Sequence, residues 1–150
     1  MWSRIGKTML LCLLGGAIYC FLEVLWRGYT HWSMFVVAAI LTIPLDQINE
    51  HMSWDTPIWL QAIWGGLGIT LAELLAGIVL NTHFNLGVWD YSHLPFQLWG
   101  QICLFYSLIW ILISGFGIVL FDWLRWRLFG EEMPHYVWHL HHRTQVVKPQ

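Results

Sequence analysis

The sequence predicts an all-α integral membrane bundle of about four transmembrane helices, with an interfacial outer loop and a short polar C-terminal tail. Three observations carry this. Of the 150 residues, 57% are apolar and only 11% are Asp, Glu, Lys or Arg, less than half the usual share for a soluble domain. No Lys or Arg lies between Arg27 and Arg125. Among the 12 tryptophans, Trp26, Trp32, Trp54, Trp59, Trp99, Trp123 and Trp126 fall near the ends of apolar runs, where aromatic belts form. A soluble domain spreads charge over its surface, so an ordinary water-soluble fold is excluded. Disorder, a disulfide scaffold and a nucleic-acid binder, which needs a basic face, are excluded with it.

A helix needs about 20 mainly apolar residues to cross the hydrocarbon core. The first run, roughly Thr8 to Trp26, is long enough. Arg4 and Lys7 precede it as in a signal peptide, but Tyr19 before Cys20 and the lack of a small-residue cleavage site point to a retained helix. The second run, Met34 to Leu45, is weaker, because Asp46, Gln47, Asn49 and Glu50 follow at once and Pro44 favours a kink. It spans only if those polar groups face other helices; the alternative is a re-entrant segment. Ile58 to Leu80 and roughly Trp99 to Leu120 complete the four, leaving connections at Arg27–Ser33, His51–Pro57 and Asn81–Leu98. Residues 1–130 read as the membrane domain and 131–150 as a cytoplasmic, His-rich tail. With four spans, Arg4, Lys7, Arg125, Arg127, Arg143 and Lys148 share one side and Arg27 stands on the other, which places both termini in the cytoplasm.

Helical spacing sorts the polar residues within the runs. Gly16, Cys20, Glu23 and Arg27 share a face of the first, and Gly66, Thr70, Glu73, Gly77 and Asn81 share a small, polar face of the third. Depth then gives an outer layer of Glu23, Arg27 and Glu73 and an inner layer of Asp46, Asn49 and Glu50. A charged group at mid-bilayer costs about 2.5–3.5 kcal/mol on insertion scales, so these acids imply partners, water or a ligand. The outer layer is expected to close as one unit, with both glutamates near Arg27. It reads either as an ion-pair triad joining helices or as a site for a solute, proton or ion.

The long outer connection carries Trp89, Tyr91, Phe96 and Trp99 and is expected to fold back over the bundle. Asp90 and His93 within it could form an acid–base pair or merely a local turn. In the tail, His135, His139 and His142 have helical metal-ligand spacing, against the plainer reading of a solvated histidine cluster. Cys12, Cys20 and Cys103 have no metal or disulfide spacing and read as packing residues. No nucleotide-binding, hydrolase or haem-attachment motif is present, and no cofactor is expected.

Several segments resemble a known family: L-W-R-G-Y-T-H-W-S-M (25–34), I-N-E (48–50), W-D-T-P (54–57), W-D-Y-S-H-L-P-F-Q-L-W-G-Q-I-C (89–103) and F-G-E-E-M-P-H-Y (129–136). Over residues 9–138 the chain resembles the short, single-module members of the bacterial family described as putative ABC-transporter type IV. The resemblance attaches to Glu23, Arg27, Gly28, Asn49, Glu50, Trp89, Asp90, Pro95 and Gln101. It implies a small multi-helix inner-membrane protein with a permease role. Pathway candidates are therefore Glu23, Arg27, Glu73, Asn49, Glu50, Asp90, His93 and Gln101. Expected partners are membrane lipids and either further copies of the chain or other transport subunits, an ATPase among them. The competing readings are a membrane-embedded enzyme acting on a lipid-linked substrate, with Asp90, His93, Glu23 and Arg27 as its groups, and a non-catalytic scaffold.

Overall fold

The computed structural model describes residues 3–139 and is an all-α membrane bundle. Helix α1 (Arg4–Arg27) starts where the Ser3 hydroxyl accepts the Gly6 N–H, and ends at Gly28 in the left-handed region (φ 82°). Helix α2 (Trp32–Asp46) is capped by His31, whose ring accepts the Ser33 N–H, and a single further turn, α3 (Ile48–His51), follows it. Helix α4 (Ile58–Gly77) continues into a π-helical stretch, Ile78–His83. Helix α5 (Leu104–Phe129) stops at Gly130, again left-handed, whose N–H reaches the last-turn carbonyls.

Among the described residues, three helical segments are long and apolar enough to cross a membrane: Arg4–Arg27, Ile58–His83 and Leu104–Phe129. Helix α2 has 15 residues, about 22 Å at 1.5 Å each, short of a hydrocarbon core of about 30 Å. The last run is displaced from its expected position. Trp99–Cys103 are absorbed by a tight antiparallel hairpin, Gln97–Leu98 against Ile102–Cys103, so α5 starts later. It runs on past Leu120 because Asp122 and Arg125 find partners inside the bundle.

Helix α1 packs on α2, and α4 on α5. Leu11, Gly15 and Gly16 form the buried face of α1, and a Cβ on Gly15 would collide with the Thr42 side chain. The α4 stripe of Ala62, Gly65, Gly66, Ile69, Glu73 and Gly77 is buried as its small residues require. A Cβ on Gly66 would meet the backbone of Ile111, and one on Gly65 would meet Ser114, so α4 and α5 touch at van der Waals range midway along. The hydroxyls of Thr70 and Ser114 turn back to carbonyls of their own helices, Gly66 at 2.9 Å and Trp110 at 2.7 Å. Mid-bundle is therefore closely packed, and the polar groups collect at its two ends, the Arg27 end and the Arg125 end.

Candidate functional site

At the Arg27 end, the last turn of α1 sets Glu23 beside Arg27. Arg27 Nη2 lies 2.8 Å from Glu23 Oε1, a charge contact out of line for a hydrogen bond. Glu23 also accepts from the Tyr19 hydroxyl (3.1 Å) and from the Thr30 hydroxyl, which the left-handed Gly28 turn brings back over the helix end. Arg27 Nη1 donates to the Val88 carbonyl at 3.2 Å, and its guanidinium lies 4.5 Å from the Tyr29 ring centroid. The pair thereby ties α1 to the long connection.

Glu73 does not join that pair, contrary to the expected three-member layer. Its two oxygens accept from the Tyr91 hydroxyl (2.9 Å) and the Trp110 indole N–H (2.8 Å), both neutral donors. The reason is the helix pairing. Helix α4 turns its polar face to α5, so Trp110 takes the position expected of Arg27. The two glutamates are linked only indirectly, through Tyr19, whose ring lies 6.1 Å from that of Trp110.

Asn81, in the π-helical stretch, organises the connection. Its amide donates to Trp89 O (3.0 Å) and Gln101 Oε1 (2.9 Å), and its carbonyl oxygen accepts from Val88 N (2.7 Å). Trp89 Nε1 closes the loop onto Gln101 O at 2.9 Å. Val88, Trp89 and Gln101 are buried, so this part folds onto the bundle as expected. The tip does not: Phe96 and Trp99 are 82% and 70% exposed, both in left-handed conformations that the Gly100 hairpin imposes. Asp90 closes a local turn on Ser92, accepting its N–H (2.8 Å) and hydroxyl (3.0 Å). Those two bonds, with a smaller contribution from His93, hold its carboxyl below the usual range. His93 is exposed and makes no hydrogen bond to Asp90 among the described residues, so these two groups are not assembled as a catalytic pair.

The Arg125 end is more strongly charged. Arg125 grips Asp46 bidentately, Nε–Oδ1 and Nη2–Oδ2 both at 2.5 Å, and its Nη1 reaches Glu131 at 3.1 Å. Lys7 of α1 adds a 2.6 Å bond to Glu131. Beside them, Asp122 accepts from Asn49 Nδ2 (2.6 Å) and the Tyr136 hydroxyl (2.7 Å). An open polar pocket of about 120 Å³ is lined by Asp46, Asn49, Trp54, Asp122, Arg125 and two tail glutamates. The tail crosses it as a strap: Val137 O accepts from Ile58 N, and His135 stacks on Trp54 at 4.7 Å. Among the described residues no group of acids, His or Cys is arranged to hold a metal. The Glu50 side chain, His141 and His142 lie outside the described residues.

Burial pushes the Glu131 carboxyl up, but the hydrogen bonds from Lys7 and Arg125 outweigh it and hold it below the usual range. Its hold on the strap is therefore complete above the unfolded value of about 4.3 and is lost as pH falls through the lower folded value. Exchange at the Ile58 amide, which donates to Val137 O, measured against its intrinsic rate, should stay slow down to about pH 5 and accelerate only in stronger acid. Lys7→Ala should bring that acceleration to higher pH; an unchanged profile would remove the Lys7–Glu131 tie.

Sequence reasoning missed Tyr91, Trp110 and Tyr136 as carboxyl partners, and Arg125 as the partner of Asp46. Two signals could have found most of them. Tyr91 and Tyr136 lie inside recognised segments, and Asp122 and Arg125 stand one turn apart on a helix whose only other charge is Arg127; Trp110 carried no such signal.

A family model described as Putative ABC-transporter type IV matches residues 17–144, most of the chain. Neither a curated protein nor a solved structure matches.

Proposed function

The chain belongs to the putative ABC-transporter type IV family, and we propose that it serves as a small bacterial inner-membrane permease component for a small polar or charged solute. The observation that carries this reading is Glu73, a carboxyl only 7% exposed on a membrane-crossing helix and held by neutral donors alone. Intramembrane acids without a fixed cation mark substrate, ion or proton routes. Glu23, Arg27 and Gln101 surround the same end, and Asn49 belongs to the polar pocket at the other. The close α4–α5 contact separates the two ends within one chain. A solute would thus pass between copies of the chain or along a partner subunit, with an ATPase as the energy source.

The orientation we propose puts both termini in the cytoplasm, with the Arg27 end outside, since six of the seven basic residues then lie inside. Reporter fusions within residues 84–96 and after Lys148 should give opposite signals; matching signals would remove this topology.

Glu73→Gln tests the function. The amide can accept from Trp110 and donate to the Tyr91 oxygen, so the site keeps its bonds while losing its charge. Thermal stability should move by less than about 1 kcal/mol, while solute binding or the cellular phenotype of a deletion strain is lost. The close packing between the two polar ends favours a second reading, a membrane scaffold. Under it the same variant would leave the phenotype intact in whatever protein folds.

A further inference from the structure

We propose that Glu73 is a reversible proton-binding site in which the Tyr91 hydroxyl reverses its hydrogen-bond direction with the charge of the carboxyl. This deepens the transport reading and rests on it for its purpose, though not for its chemistry. The other helix carboxyls whose side chains are described set the contrast. Glu23 faces Arg27, Asp46 is clamped by Arg125, and Asp122 has Arg125 one turn along its own helix. Glu23 and Asp46 thus have a positive charge in direct contact, and Asp122, held by Asn49 and Tyr136, lies beside the Asp46–Arg125 clamp. Among the described residues, Glu73 has no positive charge in contact.

The groups facing Glu73 come from three elements. Helix α1 contributes Tyr19, with the Glu23–Arg27 pair behind it; the long connection contributes Tyr91; helix α5 contributes Trp110, and Tyr106 stacks on Tyr91 at 4.7 Å. An ionised carboxyl accepts hydrogen bonds at both oxygens and can donate none; a protonated one must also place a hydrogen. Trp110 only donates, so its bond to Oε2 persists in either state. A phenol donates or accepts. In the ionised state the Tyr91 O–H points at Oε1. When a proton from water binds Oε1, the new O–H donates to the Tyr91 oxygen, and the phenol keeps its own hydrogen and rotates it away. The charge of the carboxyl passes from −1 to 0, and one proton leaves the bulk. The carboxyl is thus satisfied in both states by the same heavy atoms, which a cation partner would not permit.

The reversal has a mechanical reading. Tyr91 belongs to the segment that Asn81, Trp89 and Gln101 close over the bundle, its backbone N–H bonded to Gly100 O at 2.8 Å. A change at Glu73 is therefore felt by the loop covering the Arg27 end. Tyr91 acts here as a positioning residue.

The test is pH-difference infrared spectroscopy on the full chain in lipid bilayers, from about pH 5 to about pH 9. A protonated-carboxyl C=O band should appear and vanish reversibly across this range, and be absent in Glu73→Gln. Tyr91→Phe should keep the band but displace it to higher frequency, because the acid hydrogen loses its acceptor. Should Glu73→Gln fail to fold, carboxyl-labelled glutamate in the unaltered chain assigns the band to a glutamate by its isotope shift, and its displacement by Tyr91→Phe assigns it to Glu73. A Glu73 that stays ionised, or stays protonated, throughout the range overturns the proposal. So does a band that Tyr91→Phe leaves in place. A titrating band in a protein whose deletion strain shows no transport defect would sustain the proton site and remove the permease reading. A transport defect in Glu73→Gln with no titrating band would do the reverse.

Discussion

Arg125→Ala should cost about 3–5 kcal/mol of stability, enough to bring much of the protein below the threshold for recovery from the membrane. The Asp46 side chain is fully enclosed and Arg125 is its bidentate partner, so truncating the arginine leaves a buried anion with no cation. Glu131 loses one of its two partners in the same step. Arg27→Ala should be milder. Glu23 there retains the Tyr19 and Thr30 hydroxyls, and the Arg27 side chain is more exposed than that of Arg125. A paired replacement separates cause from size. Asp46→Leu combined with Arg125→Met removes both charges at similar volume and should recover most of the loss, because the penalty lies in the unpaired ion. Thermal unfolding in detergent, with the four proteins of the cycle side by side, gives the answer. An Arg125→Ala protein that melts like the original would mean that Asp46 does not depend on this arginine.

That pair also shows where the sequence was legible and where it was not. Apolar run length located α1 and α4 to within a few residues, because in a membrane the backbone must satisfy its own hydrogen bonds and a helix is the only local way to do so. Periodicity found part of the buried α4 face, since Gly66, Glu73 and Gly77 recur at helical spacing, while Gly65 beside them did not stand out. Which helix that face meets is a different kind of information. Grouping Glu73 with Arg27 assumed that polar stripes at equal depth converge. The structure instead pairs α1 with α2 and α4 with α5, and Glu73 meets an indole. Pairing is set by shape, by Gly15 against Thr42 and Gly66 against Ile111, and one stripe read alone does not name its complement. Arg125 was not legible as the partner of Asp46 for a related reason. An arginine flanked by Trp123 and Trp126 near a span end looks like a headgroup anchor, but its long side chain turns inward to the acid that ends α2. The histidine-rich tail was legible as polar and not as a strap, because contacts such as Val137 to Ile58 are backbone bonds that carry no composition signal.

The second large effect concerns the shape that sets the pairing. Gly66 and Gly68 lie two residues apart on one helix and should respond in opposite directions to the same methyl group. A Cβ at Gly66 would stand 2.6 Å from Ile111 Cα and 2.7 Å from Ile111 N. These are backbone atoms of α5 and cannot rotate aside, so the helices must separate. Overpacking of this kind costs about 1–3 kcal/mol, and Gly66→Leu should exceed Gly66→Ala because the wedge is longer. Gly68 has nothing within 4 Å of the same position. There alanine meets no obstacle, and relief of the glycine's backbone entropy adds up to about 1 kcal/mol. Gly68→Ala should therefore melt at or above the unaltered protein, and Gly66→Ala well below it. The consequence reaches the site. Glu73 and Trp110 stand on the two helices that the wedge would part, and their 2.8 Å bond bridges that interface. Gly66→Leu should thus lose the Glu73–Trp110 contact even in molecules that remain inserted, visible as a shift in the indole N–H signal of Trp110. If Gly66→Leu and Gly68→Leu behave alike in both stability and that signal, α4 does not meet α5 through this face. The environment described for Glu73 would then fall with it.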